Sequence, residues 1–296
     1  MVTEERLASW TGPSSDAEQL KQDLTERMIR EAIAAHAAFD GVNLSIYAKG
    51  SYANNTNVKF DSDVDIVVEC REVEYWEDYD PSAGGHPAGS PYEGPWTPDR
   101  FRAEVKAALV NKFPNGSVTS GTTAFEVEAT SSRVNADVVP CFTYRMYFAN
   151  GSYQEGTKLF KTTGGSIVNY PKLQLERGRA KNTRTNGAYK KTVRILKRLE
   201  NVLVDAGLSD EVPSYLMECL IYNCPDEYFT RATWRGTMQG CLADIYNYTN
   251  RSEPADEAER WLEANGAKFL FHGSQKWTRE QVHAFANAAW DYMEFG

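Results

Sequence analysis

Three aspartates on strand-like segments have the types and spacing that could do chemistry in this chain. Asp63 and Asp65 open the β-branched run at 66–68, and Asp137 lies in the apolar run 136–141. Side chains two apart on a strand point to the same face, so Asp63 and Asp65 should project together. Carboxylates this close repel each other unless a cation lies between them. The spacing therefore predicts a cation site.

Mg²⁺ suits such a site, because it prefers hard oxygen ligands, and Mn²⁺ is able to substitute for it. If the Asp137 strand lies beside the first, three carboxylates could hold two ions, which lie about 3.5–4 Å apart in two-metal sites. One ion would lower the pKa of an attacking hydroxyl, and the other would neutralise a leaving pyrophosphate. A lone Asp-X-Asp also occurs in ordinary loops, and Asp61 is more simply a solvated loop carboxylate. The isolated Asp137 downstream favours the metal site, since an unpaired buried carboxylate is costly.

A Gly-Ser turn precedes the aspartate strand. Gly50 lets the backbone approach a ligand closely. Ser51 can offer its hydroxyl and backbone N–H to phosphate oxygens where a helical turn begins. A simple structural turn is the alternative. Together, the turn and the carboxylates predict a site for a metal and a triphosphate.

The order of these motifs resembles the DNA polymerase β-like nucleotidyltransferase superfamily, with Gly50-Ser51, Asp63-Val64-Asp65 and Asp137 in its pattern. Within it, the chain resembles the bacterial cGAS/DncV-like nucleotidyltransferases, the synthases of cyclic oligonucleotide defence signals, and among these the CdnE-like branch. The segments that support this are 50–69, 136–142, 167–178 and 213–229. The resemblance implies that Asp63 and Asp65 bind both metal ions. It also implies that Asp137 holds the catalytic ion and helps to activate the incoming hydroxyl.

The resemblance implies nucleotide contacts on later segments as well. Ser214 resembles the serine that contacts the γ-phosphate, and Tyr215 the aromatic ring that stacks on the donor base. A core tyrosine is the alternative for Tyr215. Lys191 and Arg194 lie one helical turn apart and could clamp the triphosphate. The family usually has a lysine here, so Arg194 is a departure or the register is shifted by one turn.

Asn169 bears on the choice of base. In the CdnE-like relatives, an asparagine in this Asn-Tyr-Pro context reads the uracil edge, because an amide both donates and accepts. A loop asparagine that starts a turn before Pro171 is the alternative.

The functional hypothesis is a metal-dependent nucleotidyltransferase that makes a cyclic di- or oligonucleotide from NTPs. It would accept UTP in at least one pocket, and its product would activate a downstream effector in bacterial anti-phage signalling. The alternatives are a linear oligonucleotide synthase, a nucleotidyltransferase acting on RNA or protein as in toxin–antitoxin systems, and an inactive nucleotide-binding scaffold.

Charge and composition limit the partners. The 296-residue chain has a net charge of −9, so no long nucleic acid is expected as a partner. The segment 158–198 differs, with twelve Lys or Arg and one acid, Glu176. Nucleotide triphosphates would suit this positive excess, and a solvated basic helix face is the alternative.

The chain is predicted to be cytoplasmic, with no membrane partner. No apolar run approaches the ~20 residues of a membrane span, and five cysteines without paired spacing favour a reducing compartment. The terminal Gly296 allows conjugation to a partner, as in some relatives.

The hydrophobic pattern predicts an α+β fold in two lobes. A catalytic lobe at 1–165 would carry the aspartates on a mixed or antiparallel sheet, and a helical lobe would follow at 166–296, with the nucleotides between the lobes. The first helix is free to bridge both. Strands are predicted at 43–48, 65–70, 125–129, 134–141, 144–148 and 153–160. Helices are predicted at 14–39, 101–113, 187–206, 253–265 and 279–293, with one more beginning at Pro213 and a loop at 78–98.

Overall fold

The computed structural model describes residues 2–13, 15–58, 63–87 and 91–296, and Asp61 lies outside these ranges. The chain divides into two compact units. The helical unit comprises Met1–Ser14, Asn54–Val58 and Gln174–Gly296, and the sheet unit comprises Ser15–Ala53 and Lys59–Leu173. The predicted limit after residue 165 stays a prediction, because compactness does not show which segments fold on their own.

The helices and strands of the described ranges confirm the α+β fold class. The helices are α1 (Glu4–Ser9), α2 (Asp16–Ala34), α3 (Gly50–Ala53), α4 (Pro98–Lys112), α5 (Pro171–Arg184), α6 (Ala188–Asp205), α7 (Ser214–Asn223), α8 (Trp234–Thr249) and α9 (Arg279–Tyr292). The strands are β1 (Leu44–Lys49), β2 (Val64–Asp78), β3 (Val118–Ser120), β4 (Phe125–Val127), β5 (Ala136–Tyr147), β6 (Tyr153–Phe160) and β7 (Ser166–Asn169). Short 3₁₀ turns lie at Ala37–Phe39, Asp226–Thr230 and Glu257–Glu259. None of the described helices is long and apolar enough to cross a membrane.

The sheet is mixed, as the sequence predicts. Its strand order is β1-β2-β5-β4-β3, with β6 paired to β5 and β7 to β6. β2 and β5 run parallel, whereas the other described pairs are antiparallel. Parallel neighbours need a long crossover, and here the chain between them includes α4. Alternate residues of β2 and β5 form one apolar core with the buried faces of α2 and α4, including Ile66, Val138, Ile29, Phe101 and Leu109.

β2 is longer than the sequence indicated. The expected end near Cys70 is wrong, because β2 continues to Asp78 after an irregularity between Cys70 and Glu74. The charged residues after Cys70 resemble a strand end, but ion pairs with neighbouring strands compensate them. Arg145 lies 2.7 Å from Glu74, for example. Such cross-strand pairs are invisible in a local pattern.

The helical unit is built around α6. Its predicted apolar face is confirmed, since Tyr189, Val193, Leu196, Leu199 and Leu203 are all buried. The apolar α7 packs in the same core, as do α8 and α9. The N-terminal segment also contributes, through Val2 and Leu7. The sequence pattern did not predict α1 or α8.

The helix expected at 253–265 is wrong. Only a 3₁₀ turn forms there, and the chain then reverses in a hairpin over residues 261–270, closed by an antiparallel bridge between Leu262 and Phe269. Glu263 N–H donates to Lys268 O at 2.9 Å across this hairpin. Gly266 has a φ of +61°, a conformation that glycine adopts readily. The reversal therefore interrupts a segment whose apolar spacing resembled a helix.

Candidate active site

The parallel pairing of β2 and β5 brings two of the predicted aspartates side by side. Asp65 and Asp137 are register partners on these neighbouring strands. Asp63 lies one residue before β2, and on the other side of β5 Glu126 is the partner of Asp137. Register partners point to the same face of a sheet. The structure thus gathers the aspartates at one edge of one face.

The charges at this edge are poorly compensated. Burial raises the pKa of Asp137 above its usual value, and the charges of Asp65 and Asp63 raise it further. Burial also raises the pKa of Asp63, against a hydrogen bond from Asn135 that lowers it. Repulsion of this kind is relieved by a cation.

Lys49 provides one positive charge. It is the register partner of Asp65 on β1, and its Nζ donates to Asp65 Oδ1 at 3.0 Å. Within the described ranges, no three acidic, histidine or cysteine side chains form a ready-made metal cluster. The donor set nevertheless fits a hard divalent cation, because among the described residues several carboxylates meet near Lys49.

The Gly-Ser turn lies directly against Asp65. Gly50 begins α3 with a φ of +69°, and a Cβ at this position would lie 2.4 Å from Asp65 Oδ2. Only glycine tolerates both the backbone conformation and this approach. Ser51 follows in the half-buried α3 turn. The structure therefore brings the predicted turn and a predicted metal ligand together.

Asn169 lies on the same face of the sheet as the aspartates. Thr143, six residues beyond Asp137 on β5, pairs with Thr157 on β6, and Thr157 pairs with Asn169 at the end of β7. Because opposite residues share a face and alternate residues return to it, Asn169 and Asp137 face the same side. Its role in reading a base stays a prediction.

A small apolar cluster covers the middle of this face. It consists of Val67, Val139, Cys141 and Leu159, with Tyr47, Ala124 and Ile167 packed against it. Burial raises the pKa of Tyr47 above its usual value. The sequence analysis missed Tyr47 and Lys49, although alternation along β1, next to the Gly-Ser turn, was a signal for both.

In the helical unit, two of the five basic residues of α6, Arg194 and Lys197, are buried. Arg194 is 5% exposed, and its guanidinium donates to Thr11 O at 2.6 Å and to Asn55 O at 2.5 Å. Lys197 is also buried, which lowers its pKa to about 8. The tertiary structure explains this burial. Residues 54–58, here called the strap, belong to the same unit and accept hydrogen bonds from these side chains.

Lys191 and Lys190 are the accessible cations near the start of α6. Lys191 is exposed. Lys190, one turn before Arg194, is half-buried, and burial lowers its pKa while Glu218 raises it. The roles of Lys191 and Arg194 as phosphate ligands stay predictions, and Lys190 is the alternative that a one-turn shift would select.

Ser214 and Tyr215 begin α7. Ser214 is exposed and Tyr215 is half-buried. The Tyr215 hydroxyl donates to Glu263 Oε2 at 3.1 Å, and burial raises the pKa of the phenol well above its usual value. Tyr215 is therefore fixed at its polar end.

Comparison with known proteins agrees with this arrangement. Residues 176–294 match the cGAS/DncV-like nucleotidyltransferase C-terminal helical domain. The cyclic dipyrimidine nucleotide synthase CdnE of Legionella pneumophila is 36% identical over 98% of both chains. The structure of the Rhodothermus marinus CdnE c-UMP-AMP synthase with Apcpp and Upnpp has a TM-score of 0.84 at 29% identity, covering 100% of this chain and 97% of that one. The structure of the Elizabethkingia meningoseptica CdnE cyclic dinucleotide synthase with GTP and Apcpp has a TM-score of 0.79 at 28% identity, and the match covers 98% of both chains.

The mixed sheet with its aspartate edge and the matching helical segment define a cGAS/DncV-like nucleotidyltransferase. More narrowly, the chain belongs to the CdnE family of cyclic dinucleotide synthases.

Proposed function

We propose that this enzyme joins NTPs into a cyclic dinucleotide in a reaction that depends on divalent metal ions, and that it accepts UTP in at least one pocket. The register pairing of Asp65 with Asp137, beside the Gly50 turn, carries the proposal. This pairing supports a site where carboxylates and a phosphate-binding turn meet.

In the sheet unit, Asp63, Asp65 and Asp137 would hold two Mg²⁺ ions, for which Mn²⁺ can substitute. The bound ions would supply charge neutralisation at the phosphates and a lower pKa for the attacking hydroxyl. The backbone at Gly50 and the hydroxyl of Ser51 would orient the phosphates. Positioning and electrostatic stabilisation supply most of the acceleration in such phosphoryl chemistry.

In the reaction, the 3′-oxygen of one nucleotide bonds to the α-phosphorus of another. The bond from that phosphorus to the bridging oxygen breaks, pyrophosphate leaves, and the hydroxyl loses its proton. A second attack of the same kind closes the ring. In the helical unit, Ser214 would contact the γ-phosphate, Tyr215 would stack on the donor base, and Lys191 and Arg194 would bind the triphosphate.

The base preference is the finest part of the proposal. The Legionella relative is named a cyclic dipyrimidine synthase, whereas the Elizabethkingia structure contains GTP. Relatives therefore differ in the bases that they use. The position of Asn169 on the aspartate face supports a pyrimidine, because one amide can donate to and accept from the uracil edge.

Labelled ATP, GTP, CTP and UTP, incubated singly and in pairs with the protein and Mg²⁺ or Mn²⁺, test the proposal. We expect release of pyrophosphate, consumption of UTP, and a product that resists phosphatase and has the mass of a cyclic dinucleotide. A linear product would contradict ring closure, and untouched UTP would contradict the pyrimidine pocket. We further propose a role in anti-phage signalling through an effector that the product activates; conjugation at Gly296 stays a prediction.

A further inference from the structure

The 261–270 hairpin is docked along one face of α7. Tyr215, Cys219 and Asn223 are spaced by four positions, and each hydrogen-bonds to this hairpin. Asn223 uses both amide atoms: its Nδ2 donates to Leu262 O at 2.7 Å, and its Oδ1 accepts from the Leu262 N–H at 3.2 Å. Cys219 Sγ accepts a backbone N–H of the hairpin at 3.3 Å. Residues four apart share a helix face, so the hairpin is held in a fixed register on α7.

The first of these attachments holds the Tyr215 hydroxyl from two sides. The hydroxyl donates to Glu263 Oε2 at 3.1 Å and accepts from Asn265 Nδ2 at 3.2 Å. Asn265 Nδ2 also donates to the same carboxylate oxygen, while Glu263 Oε1 accepts from Gln275 Nε2. The Glu263 side chain is only 7% exposed. Hydrogen bonds to an ionised group are stronger than neutral ones, and burial strengthens them further.

We propose that Glu263 and Asn265 are positioning residues that fix the ring of Tyr215 for stacking on a nucleotide base. This inference rests on the proposed function, in which Tyr215 meets the donor base. The hydroxyl is anchored by the hairpin, and Trp277 packs edge-on against the ring with centroids 6.4 Å apart. The ring therefore has one orientation before the nucleotide arrives. A preorganised contact loses less conformational entropy on binding, so it raises affinity.

A hairpin that only stabilises the fold would give different kinetics. Its loss would lower the melting temperature and the fraction of active enzyme, which lowers kcat and leaves KM unchanged. Loss of a positioning contact instead weakens binding of the nucleotide and raises KM. The two roles are therefore separable by measuring both constants on folded variants.

The experiment compares Tyr215→Phe, Glu263→Leu and the double variant with the wild type. Tyr215→Phe keeps the ring and removes the hydroxyl, and Glu263→Leu removes the acceptor. Tyr189→Phe is the matched control, because Tyr189 is another tyrosine of the helical unit whose hydroxyl donates a hydrogen bond, here to Glu218 O. KM and kcat for each NTP are measured by pyrophosphate release, and the affinity for a non-hydrolysable NTP analogue by equilibrium titration.

We expect each single variant to raise KM and the analogue's Kd about tenfold, the effect of losing one hydrogen bond to a charged group, with kcat changed less than about twofold. The double variant should be no worse than the worse single variant, since both remove the same contact. Tyr189→Phe should keep the wild-type KM. Glu263→Gln, which retains an acceptor, should recover part of the affinity.

Unchanged KM and Kd in folded Glu263→Leu, or additive effects in the double variant, would overturn the proposal. If Glu263→Leu does not fold, Asn265→Ala replaces it with the same expected result. A wild-type protein that binds the analogue but releases no pyrophosphate would contradict the proposed function alone, because the titration still measures the effect of Glu263. A wild-type protein that binds no analogue overturns the positioning role.

Discussion

The aspartate edge concentrates more negative charge than its neighbours compensate. Asp65 and Asp137 are register partners, and Lys49 contacts only Asp65 among them. The pKa of Asp137 is raised by burial and by the other two aspartates, so its charged form is disfavoured in the folded protein. Enzymes often hold such unfavourable charge where a ligand will compensate it. The arrangement favours cation binding at the expense of metal-free stability.

Asp63→Asn, Asp65→Asn or Asp137→Asn should lower the rate of pyrophosphate release by about a hundredfold or more, because each removes a charged ligand from the proposed metal site. The fold should persist. Asp137→Asn should raise the melting temperature in a chelator, since it removes a carboxylate whose raised pKa marks repulsion. Activity assays and thermal unfolding with EDTA measure both effects.

Glu77→Gln is the control for these variants, because Glu77 is also a carboxylate on β2 but forms a surface pair with Lys158. Its activity should match that of the wild type. Near-normal turnover by Asp65→Asn, or equal losses in Glu77→Gln, would be incompatible with the assigned metal ligands.

Asn169→Ser should shift base choice toward purines. Serine keeps one hydroxyl but cannot present the amide's separate donor and acceptor to a uracil edge. We expect the ratio of UTP to ATP consumption to fall at least about tenfold, the effect of one or two lost hydrogen bonds. Competition between labelled NTPs measures this ratio. If the products are identical to those of the wild type, Asn169 plays no part in base selection.

Among the structural elements, the turn after β1 links backbone geometry to the site most directly. Gly50→Ala would place a methyl group against Asp65 Oδ2 and strain a backbone with positive φ. Gly41 provides a matched control, since its φ is +75° but nothing lies within 4 Å of its added Cβ. Both variants should lose about 1–2 kcal/mol of unfolding free energy from strain.

Only Gly50→Ala should also lose activity, by at least about tenfold, because displacement of the Asp65 carboxylate would disturb the proposed metal site. Urea unfolding and pyrophosphate release separate the two effects. Equal activity losses in both glycine variants would show that backbone strain, and not contact with Asp65, is responsible.

The sequence pattern of α6 does not show which of its cations are buried. The pattern predicts a phosphate-binding face, whereas the structure shows that Arg194 and Lys197 point into the helical unit and contact the strap. The strap in turn donates to the buried carboxylate of Glu218, from Asn54 Nδ2 at 3.0 Å and Thr56 Oγ1 at 3.1 Å. Buried charges persist only where hydrogen bonds satisfy them.

At the scale of the whole molecule, the helical unit is discontinuous in sequence. Core residues such as Leu7 come from before the sheet strands, and strap residues such as Asn54 come from between β1 and β2. A fragment of residues 166–296 lacks both. It loses the donors Asn54 and Thr56 of Glu218, which keeps Gln174, and the carbonyl acceptors of Arg194 at Thr11 and Asn55. Removing one partner of a buried charge costs about 3–5 kcal/mol, a large part of the 5–15 kcal/mol that stabilises a typical domain.

We therefore expect that fragment not to fold cooperatively, although it contains the whole matched helical segment. Circular dichroism and urea unfolding, with the full chain as reference, measure this. A sharp two-state transition of the isolated fragment would show that the predicted helical lobe, residues 166–296, folds on its own.

Local patterns in the sequence determined the features that depend on neighbours along the chain. The β-branched run after Asp65, the Gly50 turn and the apolar face of α6 each lie where the spacing predicts, because strand alternation and helical periodicity are local properties. The α+β fold class and the family assignment followed from these patterns and from the resemblance to known nucleotidyltransferases.

The tertiary structure alone decided which distant residues meet. Three features join segments that are far apart in sequence. They are the pairing of Asp65 with Asp137, the burial of Arg194 against the strap, and the hairpin that holds Tyr215 through Glu263. The local sequence does not show whether a charged side chain is solvated or buried. The free-energy cost of burying the charge is offset by hydrogen-bond partners, and folding brings these partners from distant segments. For that reason the sequence did not show that Arg194 and Lys197 of α6 are buried.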